Sequence, residues 1–322
     1  MNLFKKLVGQ TAIYGLSSVI GRLLNYLLVP LYTRFFLPEE YGVVTELYAY
    51  VAFLVVLLTY GLETAFFRFS KTENNQQSVY STTLISLIFS SSLFVFIMFF
   101  SASEISNWMG YGIESRFIKW FAVIVGLDAI SSISFAKLRK EERAWRFASI
   151  RLAGILINII LNLYFILYKN LGIEYVFISN LISSITTILF LTPEMIKSKL
   201  TFDLVLWKKM IVYALPLLIA GLAGMVNETI DRVLLKQLLP NPEVATFELG
   251  LYGAFYKLSI IMILFVQTFR FAAEPFFFAQ HHQRENKQVY ADVMKYFIIV
   301  MIVIFLTVVV FYDFVIGFLG AA

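Results

Sequence analysis

The chain has 322 residues, of which 60% are hydrophobic and 15% are charged, with a formal net charge of +5. Soluble proteins carry about 25% charged residues, so this composition excludes an ordinary soluble fold. The absence of cysteine excludes a disulfide framework, a thiolate metal site and a cysteine nucleophile. His281 and His282 are adjacent and have no cluster of other ligand residues near them in the sequence, so neither a metal site nor a cofactor is predicted.

Apolar runs of about 20 residues follow one another along the chain, which is the pattern of transmembrane helices. The first run, residues 11–36, contains Arg22 and Asn25 and is too long and too polar for the apolar region of a signal peptide, so it is predicted as a retained membrane helix. The sequence therefore predicts an all-α integral membrane protein, a polytopic bundle of about nine transmembrane helices. We place these helices at residues 11–36, 43–70, 79–100, 116–137, 149–168, 173–192, 209–239, 249–280 and 290–312.

Basic residues are concentrated in the connections on one side of the predicted membrane. The densest group is KLRKEERAWRFASIR at residues 137–151, between the fourth and fifth helices. Cytoplasmic connections carry an excess of Lys and Arg, so the amino terminus is predicted to be cytoplasmic. This uneven distribution of basic residues explains the positive net charge, so no nucleic-acid partner is predicted. The connections on the other side, such as LPEEYG (37–42) and KNLGIEY (169–175), are too short to hold a catalytic domain.

The chain shows a weak internal duplication. LPEEYG at 37–42 corresponds to LPNPEVATFELGLYG at 239–253, which has an insertion of nine residues. Repeats of this scale are typical of transporters. We therefore predict two pseudo-symmetric lobes: a six-helix lobe at residues 1–200, and the first three helices of an incomplete second lobe at residues 201–322.

Charged residues inside the predicted spans concentrate on the first two helices of each lobe, with Asp128 on the fourth helix as the exception. A charge that faces lipid costs at least about 2.5 kcal/mol, so these side chains are expected to line a hydrophilic cavity. One possibility is that these charges serve only to neutralise one another, as Glu228 and Arg232 can at a spacing of four residues. Alternatively, the cations bind an anionic substrate and the acids take up protons or set the conformation. The cations are Arg22, Arg232, Lys257 and Arg270, and the acids are Glu63, Glu228, Asp231 and Glu274.

Several segments, in this order, resemble those of a known family. They are TAIYGLSSVIGRLLNYLLVPLYTRFFLPEEYGVV (11–44), GLETAFFRFS (61–70), NETIDRVLLKQLLP (227–240) and ELGLYGAFYKL (248–258). The chain resembles the polysaccharide transporter family, the Wzx-type O-antigen flippases of the multidrug/oligosaccharidyl-lipid/polysaccharide exporter superfamily.

The resemblance implies two lobes of six helices around a central cavity, in the cytoplasmic (inner) membrane of a bacterium. It also implies alternating access that carries undecaprenyl-diphosphate-linked oligosaccharide between the leaflets, for the biosynthesis of surface polysaccharide or lipopolysaccharide O-antigen. The family's cationic cavity residues would contact the diphosphate, a role that Arg22, Arg232, Lys257 and Arg270 would take here. The partners are then this glycolipid and membrane lipids.

A proton or sodium gradient is a hypothesis for resetting the conformations, with Glu63, Asp231 or Glu274 as the titrating group. A cation-coupled multidrug exporter of the same superfamily is the first alternative function. A membrane-embedded polymerase or glycosyltransferase is the second, and the short outer connections argue against it. The protein is therefore predicted not to be an enzyme.

Overall fold

The computed structural model describes residues 19–73, 76–110, 115–196, 200–259 and 286–319, together with isolated positions at 15, 17 and between 262 and 269. All regular elements in these ranges are helices. Seven of the described helical segments are long and apolar enough to cross a membrane. They correspond to seven of the nine predicted spans, and the other two (11–36 and 249–280) lie partly outside the described residues. The prediction of an all-α, multi-pass membrane protein is confirmed.

The helices are numbered here in chain order. A π-helical turn at Leu163–Tyr168 continues α6, and a 3-10 turn at Lys257–Ser259 follows α9. The helices are α1 Val29–Phe35, α2 Pro38–Thr59, α3 Leu62–Thr72, α4 Gln76–Trp108, α5 Ser115–Lys140, α6 Ala144–Asn162, α7 Glu174–Ile196, α8 Leu204–Leu238, α9 Pro242–Tyr256, α10 Asn286–Val310 and α11 Tyr312–Leu319.

The chain forms two compact units, residues 1–37 with 251–322, and residues 38–250. In the first unit, α1 packs against α11, where Arg34 donates a hydrogen bond to the carbonyl oxygen of Gly317 at 3.4 Å. The second unit contains α2 to α8 and most of α9. It therefore includes helices on both sides of residue 200, and the predicted lobe boundary there stays a prediction.

The second predicted span is divided into α2 and α3 at Tyr60 and Gly61. Gly61 has a φ of 72°, in the left-handed region that glycine adopts without strain. It also lies against α8, because a Cβ atom at Gly61 would be 2.7 Å from the carbonyl oxygen of Ala214. A single glycine thus ends α2, starts α3 and lets α8 approach closely.

Helix α5 is the central helix of residues 38–250 and packs against α2, α3, α4, α6 and α7. The largest buried side chains of the adjoining apolar core come from α3, α4, α5 and α8, and include Phe66, Leu84, Ile133 and Met210. Polar groups also fix this packing: the indole of Trp207 donates to Ser86 Oγ at 2.7 Å, and the hydroxyl of Tyr60 lies 2.6 Å from the same atom.

Helix α8 starts at a side-chain cap and then runs for 35 residues. Asp203 Oδ1 accepts hydrogen bonds from the backbone N–H groups of Val205 at 2.9 Å and Leu206 at 3.0 Å. Such a cap satisfies amide donors that the first turn of a helix leaves unpaired. The helix continues past Pro216 and is about 52 Å long, so it is longer than the hydrocarbon core is thick.

Candidate functional site

A buried carboxylate, Glu46, lies on the membrane-spanning part of α2. Its exposed fraction is 1%. Lys236 of α8 interacts electrostatically with Glu46, and its Nζ donates hydrogen bonds to Thr246 Oγ1 and, at 3.3 Å, to the carbonyl oxygen of Pro242. Lys236 therefore links side chains of three helices, because it attracts Glu46 of α2 and donates a hydrogen bond to Thr246 of α9.

A second cation, Arg232, lies one turn before Lys236 on the same helix. It interacts electrostatically with Tyr41 of α2, which is 4% exposed. The hydroxyl of Tyr50, one turn after Glu46, is buried and also interacts electrostatically with Glu46. We use the name Glu46 cluster for the set Tyr41, Glu46, Tyr50, Arg232, Lys236 and Thr246.

The Glu46 cluster depends on two glycines that let the backbones of α2 and α9 touch. A Cβ atom added at Gly42 would overlap the carbonyl oxygen of Thr246, and one added at Gly250 would overlap the carbonyl oxygen of Pro38. This close approach places Thr246 against α2, and Thr246 accepts a hydrogen bond from Lys236. Gly42 belongs to the LPEEYG motif, and Gly250 belongs to the corresponding segment of the repeat.

The predicted site residues of α8 lie beside this cluster. Arg232 belongs to it, and Asp231 Oδ1 accepts a hydrogen bond from the backbone N–H of Arg232 at 2.9 Å. Glu228 is exposed, and the ion pairs found among the described side chains do not include the predicted pair with Arg232.

Glu46 is not among the site residues that the sequence predicts, and Lys236 is predicted to lie near an outer connection. The predicted second helix begins at residue 43, which puts Glu46 in its first turn, where a carboxylate is ordinary. The structure begins α2 at Pro38. The usable signal was a proline at a helix start followed, eight residues later, by a single acid in an apolar run.

Glu63 lies far from Arg232. Its Oε1 accepts a hydrogen bond from Nη2 of Arg139 at 2.5 Å, and both side chains are about one-third exposed. The adjacent Gly61 contacts Ala214 of α8, which precedes Arg232 by 18 residues, or about 27 Å along the helix. The structure therefore does not bring these two predicted site residues together.

The basic 137–151 segment forms its own cluster around Glu194, a carboxylate that is 1% exposed. Arg143 Nη1 donates to Glu194 Oε1 at 3.0 Å, Arg146 Nε donates to the same oxygen, and Lys137 Nζ donates to the Glu194 carbonyl oxygen at 2.9 Å. These contacts connect the ends of α5, α6 and α7, so this segment stabilises the helix bundle.

The other predicted site residues lie elsewhere. Arg22, which is exposed, and Lys257, which is half-buried in the 3-10 turn, belong to the unit of residues 1–37 and 251–322. Arg270 and Glu274 lie outside the described residues, and the roles of all four stay predictions. Among the residues that the structure describes, no group of three or more His, Cys, Asp and Glu side chains could hold a metal ion.

The chain matches a known protein family over most of its length. The model of the family described as polysaccharide biosynthesis protein matches residues 7–281. The chain belongs to this family. No curated protein sequence matches the chain.

Three solved structures share the fold of this chain. The first is the inward-facing conformation of a multidrug resistance MATE family transporter of the MOP superfamily, with a TM-score of 0.71 and 15% identity over 94% of this chain and 75% of that one. The second is a MATE protein in the bent conformation (TM-score 0.56, 16% identity, 94% and 71% of the two chains). The third is the eukaryotic MATE transporter AtDTX14 (TM-score 0.51, 17% identity, 91% and 77%).

The family predicted from the sequence is confirmed by the match. Identities of 15–17% show the fold alone, which the chain shares with these three MATE structures. The chain thus belongs to the polysaccharide biosynthesis protein family and shares its fold with these transporters.

Proposed function

We propose that this protein is a flippase that moves undecaprenyl-diphosphate-linked oligosaccharide across the bacterial cytoplasmic membrane by alternating access, for the biosynthesis of surface polysaccharide such as O-antigen. The observation that carries the proposal is the family match over residues 7–281, on a chain with the MOP-superfamily fold. We propose that its amino terminus is cytoplasmic, because the basic cluster around Glu194 then lies on the cytoplasmic side.

The cations of α8 supply a physical reason for this function. A diphosphate cannot cross hydrocarbon unaided, whereas a polyprenyl tail can remain in the lipid. Arg232 and Lys236 are four residues apart, so they share one face of a membrane-spanning helix. At an effective dielectric constant of about 20, two opposite unit charges 4 Å apart attract each other by about 4 kcal/mol. Cations on this face would lower the barrier for the diphosphate.

A cation-coupled multidrug exporter is the second candidate function. It is favoured by the fold of the MATE transporters and by Glu46, a carboxylate buried in a membrane span, because a drug exporter of cationic compounds needs acidic side chains. The Glu46 cluster, however, also holds two cations of α8, Arg232 and Lys236, with which an anionic group could interact. The match to a family described as polysaccharide biosynthesis protein favours the glycolipid over a drug.

Transport by the purified protein in proteoliposomes distinguishes the two functions. The vesicles carry a fluorescent polyprenyl-diphosphate-linked oligosaccharide, and a membrane-impermeant reductant reports how fast molecules of the inner leaflet reach the outer leaflet. We expect faster exchange than in protein-free vesicles, and no efflux of a fluorescent cationic dye under a pH gradient. Dye efflux without glycolipid exchange would assign the drug-exporter function instead.

Substitutions on α8 test the role of the cations. Arg232→Ala is expected to abolish glycolipid exchange, as is Arg22→Ala in the other unit. Lys209→Ala is the matched control, because Lys209 is an exposed cation near the start of the same helix. If Arg232→Ala and Arg22→Ala both exchange glycolipid as fast as Lys209→Ala, these cations do not bind the diphosphate.

A further inference from the structure

A second intramembrane carboxylate, Asp128, lies near the middle of α5. It is 12 to 13 residues from either end of this membrane-spanning helix, or about 18 to 20 Å. Its Oδ1 accepts a hydrogen bond from Ser184 Oγ of α7 at 2.8 Å. An ionised acid at the centre of a span costs about 2.5–3.5 kcal/mol, so its presence calls for a specific role.

Polar side chains from three neighbouring helices surround Asp128. Asn180, one turn before Ser184 on α7, donates from Nδ2 to the hydroxyl oxygen of Tyr48 at 2.6 Å. Tyr48 of α2 and Arg151 of α6 both interact electrostatically with Asp128. They are the titratable and charged groups that act on it from the helices packed around α5, within the described part of the chain. We use the name Asp128 network for these five residues.

The Asp128 network combines partial burial with polar surroundings. Ser184 is 5% exposed, whereas Asp128, Tyr48 and Asn180 are half-buried. The carboxyl group of Asp128 is therefore surrounded by hydrogen-bonding side chains in the middle of the helix packing. By contrast, Glu63 is ion-paired with Arg139 near the end of its span, and Glu46 is 1% exposed.

We propose that Asp128 is a proton-binding site inside the unit of residues 38–250, and that its protonation sets the packing of α5 against α2, α6 and α7. The proton enters from water, forms an O–H bond on the carboxylate and leaves as a proton, so no other reactant is needed. The ionised form accepts the Ser184 hydrogen bond and attracts Arg151. The neutral form loses the attraction to Arg151 and gains a donor.

The chemistry of the network favours a proton over a sodium ion. A bound metal ion takes several oxygen ligands, whereas this network offers a single carboxylate. Its hydroxyl and amide groups are already joined by direct hydrogen bonds at 2.6 and 2.8 Å. A proton can change the charge of Asp128 without breaking these hydrogen bonds, whereas a metal ion would have to break them to bind.

Infrared difference spectroscopy of the purified protein in liposomes measures proton binding without any substrate. Spectra at acidic and alkaline pH are expected to show a protonated-carboxyl band that is lost in Asp128→Asn. Asn keeps the shape and can accept the Ser184 hydrogen bond, but it cannot titrate. The matched control is Asp203→Asn at the start of α8, where Asn also caps a helix and the band should remain.

Ser184→Ala gives a second test, which reads the pH midpoint of the carboxyl band. This midpoint would not shift if Asp128 had only a structural role. The variant lacks the hydroxyl that donates to Asp128, so the band should remain while the pH of its midpoint shifts. The ratio of protonated to ionised carboxyl changes about tenfold per pH unit, so a shift of a few tenths of a unit is measurable. An Asp128→Asn spectrum identical to that of the unmodified protein overturns the proposal, and so does a carboxylate band that responds to sodium at constant pH.

The coupling of this proton to transport rests on the proposed function, and the flux assay keeps the two separate. Glycolipid exchange should depend on pH in the unmodified protein and lose that dependence in Asp128→Asn, with Asp128→Glu restoring it. If the protein exchanges no glycolipid and the infrared band is present, the flippase proposal fails while the proton site stands. If exchange occurs with the same pH profile in Asp128→Asn and Asp203→Asn, the coupling is wrong.

Discussion

Gly42→Ala is expected to destabilise the protein, because the added methyl group would overlap the backbone of α9. The group it meets is the carbonyl oxygen of Thr246, which cannot rotate away as a side chain does. Overpacking of this kind costs about 1–3 kcal/mol, and a collision with backbone belongs near the upper limit. Ala is favoured over Gly inside a helix by about 1 kcal/mol, so the expected net loss is about 2 kcal/mol.

Gly224→Ala is the matched control for this prediction. Gly224 is exposed on α8, and a Cβ atom there meets nothing within 4 Å. Only the helix propensity changes, so a gain of up to about 1 kcal/mol is expected. Thermal unfolding of the two variants in the same detergent should separate their midpoints by several degrees, at about 2–4 °C per kcal/mol. Equal midpoints would refute the close contact of α2 with α9 on which the Glu46 cluster depends.

Three further substitutions test the polar contacts by thermal unfolding. Glu194→Ala should cost about 1.5–3 kcal/mol, because the buried carboxylate accepts charge-assisted hydrogen bonds from Arg143 and Arg146, which are both more than one-third exposed. A loss under about 1 kcal/mol, as for an exposed ion pair, would contradict this. Glu63→Ala should cost less than about 1 kcal/mol, because its pair with Arg139 is about one-third exposed. A loss as large as that of Glu194→Ala would show that exposure does not determine how much an ion pair stabilises the protein. Ser86→Ala should cost about 1–3 kcal/mol, since it removes the hydroxyl that Trp207 and Tyr60 share as a hydrogen-bond partner. An unchanged unfolding midpoint would mean that water replaces these hydrogen bonds.

The sequence predicted the membrane-spanning helices because their signal is local. Apolar runs of about 20 residues identify spans regardless of how the helices pack. The boundaries were less accurate where a helix starts in a polar segment. Helix α2 starts five residues earlier than predicted, and Gly61 divides the span in two. The second effect comes from a glycine that packs against α8, and no local pattern reports a tertiary contact.

The grouping of charges could be predicted less well than the helices. The sequence indicates which spans hold charges, and the spacing of four residues puts Arg232 and Lys236 on one face. Which helices meet is set by long-range packing, so the ion pair of Glu63 with Arg139 across 76 positions could not be deduced. The same limit applied to Glu46, whose importance depends on the cations of α8.

Helix α2 physically connects the two intramembrane carboxylates. Glu46 and Tyr48 are two residues apart on this helix, so they point in directions about 200° apart, at 3.6 residues per turn. Glu46 interacts electrostatically with Lys236 of α8, whereas Tyr48 accepts a hydrogen bond from Asn180 of α7. Two residues of one helical turn move as a rigid body. If α8 stays in place, a displacement of α2 that separates Tyr48 from Asn180 also moves Glu46 relative to Lys236, and by this route a change of charge at Asp128 would reach the Glu46 cluster.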